Sequence, residues 1–101
     1  MKIVFSPEAE ADLLSLYGYI AERTTPDVAA NFIDAIVDFC ESFSTFPNRG
    51  TQRDDLRPGL RIIGFRHQVT IAFDIEGEIV SFVGIYYGGR DVEALLRGGP
   101  D

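Results

Sequence analysis

The sequence predicts an α+β domain in which a two-helix hairpin packs on an antiparallel sheet, in the order β-α-α-β-β-β. Three observations carry this. Val69, Ile71, Phe73 and Ile75 alternate with Gln68, Thr70, Ala72 and Asp74, the period of a strand with one apolar face. Two earlier stretches, each opened by a hydroxyl residue and a proline, carry apolar residues at helical spacing. The connection between those stretches is short, so the helices run antiparallel. At 101 residues and 46% apolar content the chain is expected to form one folded domain over 1–101.

Lys2 to Phe5 reads as a short strand. Ser6 is the expected N-cap of the first helix, with Pro7 at its first position and Glu8 in the first turn, where an acid favours the helix dipole. Ala9, Leu13, Leu16, Tyr17 and Ile20 form its apolar stripe, and Leu14 and Tyr19 lie off it. Thr25 and Pro26 open the second helix, expected from about Asp27 to Ser44. Its buried stripe is Ala29, Phe32, Ile36, Phe39, Cys40 and Phe43, with Ile33 and Val37 flanking.

Phe46-Pro47-Asn48-Arg49-Gly50 ends the helix and starts a polar segment that reaches Gly59, long for a plain connector. Strands follow at Leu60–Phe65, around Val69–Ile75 and at Ile79–Tyr87, with Glu76-Gly77 as a tight turn. Strict alternation in the last strand puts Ile79, Val83, Ile85 and Tyr87 on one face and Val80, Phe82 and Tyr86 on the other. A strand apolar on both faces has to be covered on both, and two helices cover one side of the sheet. The other side is open to a partner. Asp91 to Leu96 reads as a short helical tail with Asp91 as its N-cap.

Net charge is −7, unevenly spread. Residues 1–48 hold eight acidic against two basic side chains, whereas residues 49–70 hold five arginines against Asp54 and Asp55. A stand-alone nucleic-acid binder presents a broad basic face. This chain has a local basic island instead, and no direct DNA binding is expected. The single cysteine, Cys40, sits at an apolar helix position and fits a reducing compartment. No apolar run is long enough for a signal peptide or a membrane span, so a cytoplasmic location and no membrane partner are expected.

One histidine and one cysteine without ligand spacing give no metal site, and no phosphate-cradling loop points to a cofactor. His67 falls between two strands and reads as an exposed turn residue. Acid–base RNA cleavage would need cations on the phosphate and groups to move two protons. Arg61, Arg66 and Arg90 can supply the cations, and Tyr86, Tyr87 or His67 the proton transfers. An unperturbed tyrosine is a weak acid at neutral pH, however, and no lysine cluster accompanies the set.

Several stretches in order resemble the RelE/ParE superfamily, the toxins of bacterial type II toxin–antitoxin modules, and its ParE branch in particular. They are SPEAEADL (6–13), the two-helix spacing, Phe46-Pro47 with Gly50, RPGLR (57–61), YYGGRD (86–91) and EALL (93–96). The resemblance implies a cytoplasmic toxin neutralised by an antitoxin from the same operon, whose disordered C-terminal part wraps the groove between helices and sheet. ParE-like members inhibit DNA gyrase by binding it, which needs no catalytic residue. RelE-like members cleave mRNA on the ribosome, and the nuclease alternative rests on Arg61, Arg66, Tyr87 and Arg90. A module that binds its antitoxin without toxicity is the remaining alternative. On this reading Arg57, Arg61, Arg66, Tyr86, Tyr87 and Arg90 form the target-binding set. Leu14, Tyr17, Ile33 and Tyr86 are the expected antitoxin contacts.

Overall fold

The computed structural model describes residues 1–88; the expected tail helix and Arg90 lie outside the described residues. The elements are β1 (Lys2–Phe5), α1 (Pro7–Arg23), α2 (Pro26–Glu41), β2 (Thr51–Gln52), β3 (Leu60–Phe65), β4 (Val69–Glu76) and β5 (Ile79–Tyr87). Both helix starts follow from local chemistry. Ser6 Oγ accepts from the Ala9 N–H at 3.1 Å and Thr25 Oγ1 from the Val28 N–H at 3.2 Å, each satisfying a donor that the first helical turn leaves over. The second helix is shorter than expected: after Glu41 it tightens into one 3-10 turn, Ser42–Ser44.

The five strands form one mixed sheet in the order β1-β5-β4-β3-β2. It is antiparallel except at β1, which lies parallel to β5 with Ile3 opposite Val80 and Phe5 opposite Phe82. Parallel neighbours need a long crossover, and here everything between the first and last strands supplies it. β2 is an additional two-residue strand within the polar segment.

The principal core lies between the helices and the sheet. Phe43, Phe73, Phe82, Ile36, Ile71, Val80 and Cys40 are its fully buried side chains. Phe43 is its hub, with ring centroids 5.0 Å from Phe73 and 5.3 Å from Phe82, distances at which edge-to-face pairs add to plain burial. Burial pushes the Cys40 thiol up to about 12, with Glu41 adding to the shift. Tyr17 departs from the expected stripe: it is 37% exposed, because the core takes Ala9 and Leu16 and leaves Tyr17 at the rim.

A smaller cluster covers part of the opposite face. Leu56, Leu60 and Ala72 are buried there, with Ile62, Val83 and Tyr86 packed against them. The polar segment thus folds Leu56 back over the sheet, and the chain covers part of the face that the sequence leaves open to a partner. Val4 and Ile79, farther along, remain exposed.

Strict alternation fails in β5. Ala72 pairs with Gly84 but Phe73 pairs with Phe82, so Val83 is an extra, bulged residue. The insertion re-phases the strand. Val80, Phe82, Ile85 and Tyr87 all join the helix-side core, while Val83 and Tyr86 join the opposite cluster. This corrects the face assignment made from alternation alone. A Cβ at Gly84 would lie 2.7 Å from Tyr86 Cε2, so any side chain there would force the Tyr86 ring to shift.

Among the described residues no helix is long and apolar enough to cross a membrane.

Two stability tests follow. Gly50 has φ +75°, and a Cβ there would run into the backbone carbonyl of Ile62. Gly50→Ala should therefore destabilise by about 2–4 kcal/mol in chemical denaturation, left-handed strain and a backbone clash together. Asp74 has its carboxyl raised above the usual range, first by partial burial and then by Glu76. A raised acid destabilises the fold when ionised and not when protonated. Asp74→Asn should raise the melting temperature at neutral pH, with the gain fading as pH falls through the raised value of the folded carboxyl and gone below about 4, where the unfolded carboxyl also binds its proton.

Candidate partner-binding groove and arginine segment

The functional geometry begins where β1 stops. Ser6 ends that strand to cap α1, and its N–H donates to the Phe82 carbonyl at 2.9 Å. Its hydroxyl also reaches the Val83 carbonyl, at 3.5 Å. Beyond this point β5 continues to Tyr87, yet among the described residues no strand pairs with its outer edge. The bulge decides which groups face that edge. Gly88 N–H bonds inward to Gln68 O at 3.0 Å, so Tyr87, one residue earlier, turns its N–H and C=O outward, as Ile85 does.

α1 borders this free edge and leaves a groove of about 530 Å³ lined by Asp12, Ser15, Leu16, Tyr19, Ile85, Tyr87 and Gly88. One strand donor is already capped: Asp12 Oδ2 accepts from the Ile85 N–H at 3.0 Å. Tyr19 and Tyr87 close one end, their ring centroids 5.3 Å apart. The Arg23 guanidinium lies 3.6 Å above the Tyr19 ring. The lining mixes the apolar and aromatic faces of Leu16, Ile85, Tyr19 and Tyr87 with the polar Asp12 and Ser15, beside a strand edge unpaired among the described residues.

Of the groove residues, sequence reasoning selected Tyr87 and the adjoining Gly88, at the YYGGRD end of the last strand, for a site. The signals for the others were present but weak. Asp12, Ser15 and Tyr19 recur three and four residues apart along the flank of the apolar stripe. Gly84 inside a strand is a sign of a bulge.

The expected antitoxin contacts occupy separate surfaces. Leu14 is 74% exposed on α1 with Tyr17 nearby on the same helix, whereas Ile33 is half-buried against the main core. Tyr86 lies across the sheet, in the opposite cluster.

The arginines of the basic island are drawn into the fold to differing degrees. Arg49 stacks 4.8 Å from Phe39 and 4.5 Å from Phe43 and donates to Ser42 Oγ at 2.8 Å. Arg53 forms a forked pair with Asp55, both bonds 2.9 Å. Arg61 Nε donates to the Arg49 carbonyl at 3.0 Å, which pins the Pro47–Gly50 turn to β3. Arg57 is exposed in the loop before β3.

Arg66 differs from these. It and His67 have φ of 51° and 59°, both left-handed without being glycine, at a cost of about 1–2 kcal/mol each. The turn they form is closed by Gln68 N–H to Phe65 O at 3.2 Å. It carries the Arg66 guanidinium to 5.0 Å from the Phe65 ring and 5.9 Å from Phe32.

Arg61 and Tyr87 do not converge. Arg61 lies opposite Phe73 and Tyr87 opposite Val69, about 13 Å apart along β4 at the strand rise. Arg66 is the cation nearer Tyr87, since Phe32 packs on both the Arg66 guanidinium and the Tyr87 ring. Among the described residues no group of three or more histidine, cysteine or acidic side chains is placed to hold a metal ion.

Comparison with known proteins bears on this geometry. No curated protein matches the chain. A solved structure described as the chromosomal ParDE TA system from P. aeruginosa superimposes with a TM-score of 0.76 at 21% identity, over 87% of this chain and 96% of that one. At that identity the likeness is one of fold. The family described as the ParE toxin of the type II toxin-antitoxin system, parDE, matches residues 3–92, nearly the whole of the element order set out above. The chain belongs to the ParE toxin family of type II toxin–antitoxin systems.

Proposed function

We propose that this toxin acts by binding DNA gyrase and is silenced by an antitoxin encoded beside it, whose extended segment occupies the α1–β5 groove. The observation that carries the antitoxin half is the outer edge of β5 at Tyr87, unpaired among the described residues and bordered by the α1–β5 groove. A segment added to a strand edge gains main-chain hydrogen bonds, while its alternate side chains fill the adjoining pocket. Leu14 and Tyr17, exposed on α1, offer a second contact where the partner leaves the groove. Ile33 at the helix flank and Tyr86 across the sheet complete the proposed contacts.

The gyrase half rests on the ParE family match. Arg57, Arg61, Arg66, Tyr86, Tyr87 and Arg90 are its proposed contacts, with Arg66 presented on a strained turn. Binding rather than hydrolysis is supported by the separation of Arg61 from Tyr87 and by the bond that engages Arg61 with Arg49. Such a toxin needs no cofactor and works in the cytoplasm, where its target and antitoxin are found.

Purified toxin should inhibit gyrase supercoiling and trap cleaved DNA, and Arg90→Ala should weaken that inhibition by about 1–3 kcal/mol, the worth of a charge-assisted contact. Codon-specific mRNA cleavage on programmed ribosomes, abolished by Arg90→Ala, would overturn the gyrase reading. A tagged toxin should co-purify with the product of the neighbouring gene. A soluble toxin that never captures that product would sink the antitoxin half.

Arg66→Ala and Arg61→Ala separate surface from scaffold. Arg66 makes only ring contacts, worth about 0.5–1 kcal/mol at an exposed site, so its loss should lower toxicity while thermal stability nearly holds. Arg61→Ala should cost stability by about 1 kcal/mol through the lost bond to Arg49.

A further inference from the structure

Among the described residues, Asp12 is the only charged side chain lining the groove. It is half-buried, and among the described residues its one hydrogen-bond partner is the Ile85 N–H, taken by Oδ2. Its second oxygen is left facing a groove whose other walls are Leu16, Tyr19, Ile85 and Tyr87, with Ser15 and Gly88. Arg23, on the same helix, is engaged elsewhere: it donates to the Tyr19 carbonyl at 3.1 Å and lies over the Tyr19 ring. The helical half of the chain is also acidic overall, since residues 1–48 carry eight acids and two bases. A carboxylate in a partly desolvated groove favours an incoming cation and disfavours an anion more strongly than it would in open water.

We propose that the segment entering this groove is basic: an extended stretch of the antitoxin that pairs its backbone with the β5 edge at Tyr87 and sets a lysine or arginine against Asp12. The proposal rests on the antitoxin reading above and adds the partner's chemistry. Residues flanking the cation are apolar, because a strand laid along β5 turns alternate side chains toward Leu16 and the two tyrosines. Asp12 has two roles in sequence. In the free toxin it caps the Ile85 donor and blunts the strand edge, a common protection against unwanted pairing. In the complex its second oxygen takes the partner's cation.

The test is selection of short displayed peptides from a random library on the full-length toxin, with Asp12→Asn as the paired target. Asparagine keeps one side-chain oxygen for the Ile85 N–H, replaces the second with an NH2 donor and removes the charge, so unchanged melting should accompany it. Enriched peptides are expected to carry lysine or arginine at one fixed position between apolar residues and to protect the Tyr87 amide from hydrogen exchange. They should bind Asp12→Asn about 10–100-fold more weakly, the range for a hydrogen bond to a charged group. Peptides that protect Tyr87 without basic preference, or that ignore Asp12→Asn, would overturn the charge assignment while leaving the groove as a docking site. If no peptide protects Tyr87 although the operon neighbour still co-purifies, the groove assignment fails and the antitoxin reading stands.

Discussion

The pairing of the first strand with the last, cut short at Phe5 and Phe82, governs most of what is distinctive in this molecule. Ser6 cannot both extend β1 and cap α1, and it caps. Its backbone N–H still closes one final bond to β5, after which β5 runs on past the bulge at Val83 paired only with β4 among the described residues. A longer β1 would cover the edge that borders the groove. An unbulged β5 would turn Ile85 and Tyr87 away from the helices.

The bulge also reconciles two demands on β5. The helix-side core needs Val80, Phe82, Ile85 and Tyr87, and the opposite cluster needs Val83 and Tyr86. A strand of period two cannot supply both sets, and one inserted residue can. Gly84 meets the remaining constraint, since the Tyr86 ring lies back over it where a side chain would stand. A short stretch of strand thereby sets the core, the second cluster and the groove wall together.

Charge in this protein is partitioned by structure more than by sequence. The basic island looks like a patch along the chain, yet Arg49 rests on Phe39 and Phe43, Arg53 pairs with Asp55 and Arg61 secures the Pro47–Gly50 turn. Arg66 is the exception, held on a turn whose left-handed backbone a glycine would adopt without strain. Strain kept at an exposed turn marks a candidate for function. The acidic half has a counterpart in Asp12, the one carboxylate among the described residues that the fold sets into the groove.

The element order, both helix caps, the helix-side aromatic core and the family resemblance were legible in the sequence, because each depends on neighbours along the chain. A proline after a hydroxyl residue, a helical stripe and a period-two run act over a few residues and survive reading in one dimension. The parallel placement of β1, the cover that Leu56 gives the second face and the re-phasing of β5 were not legible. Nor was the groove that joins Asp12 to Ile85, residues 73 positions apart in the chain. Those features are set by where strands stop and which edges meet, and alternation says nothing of either. The sequence by itself determined what kinds of elements form and which residues want burial. Tertiary structure decided which strand edge stays open, because only packing shows where β1 ends against β5.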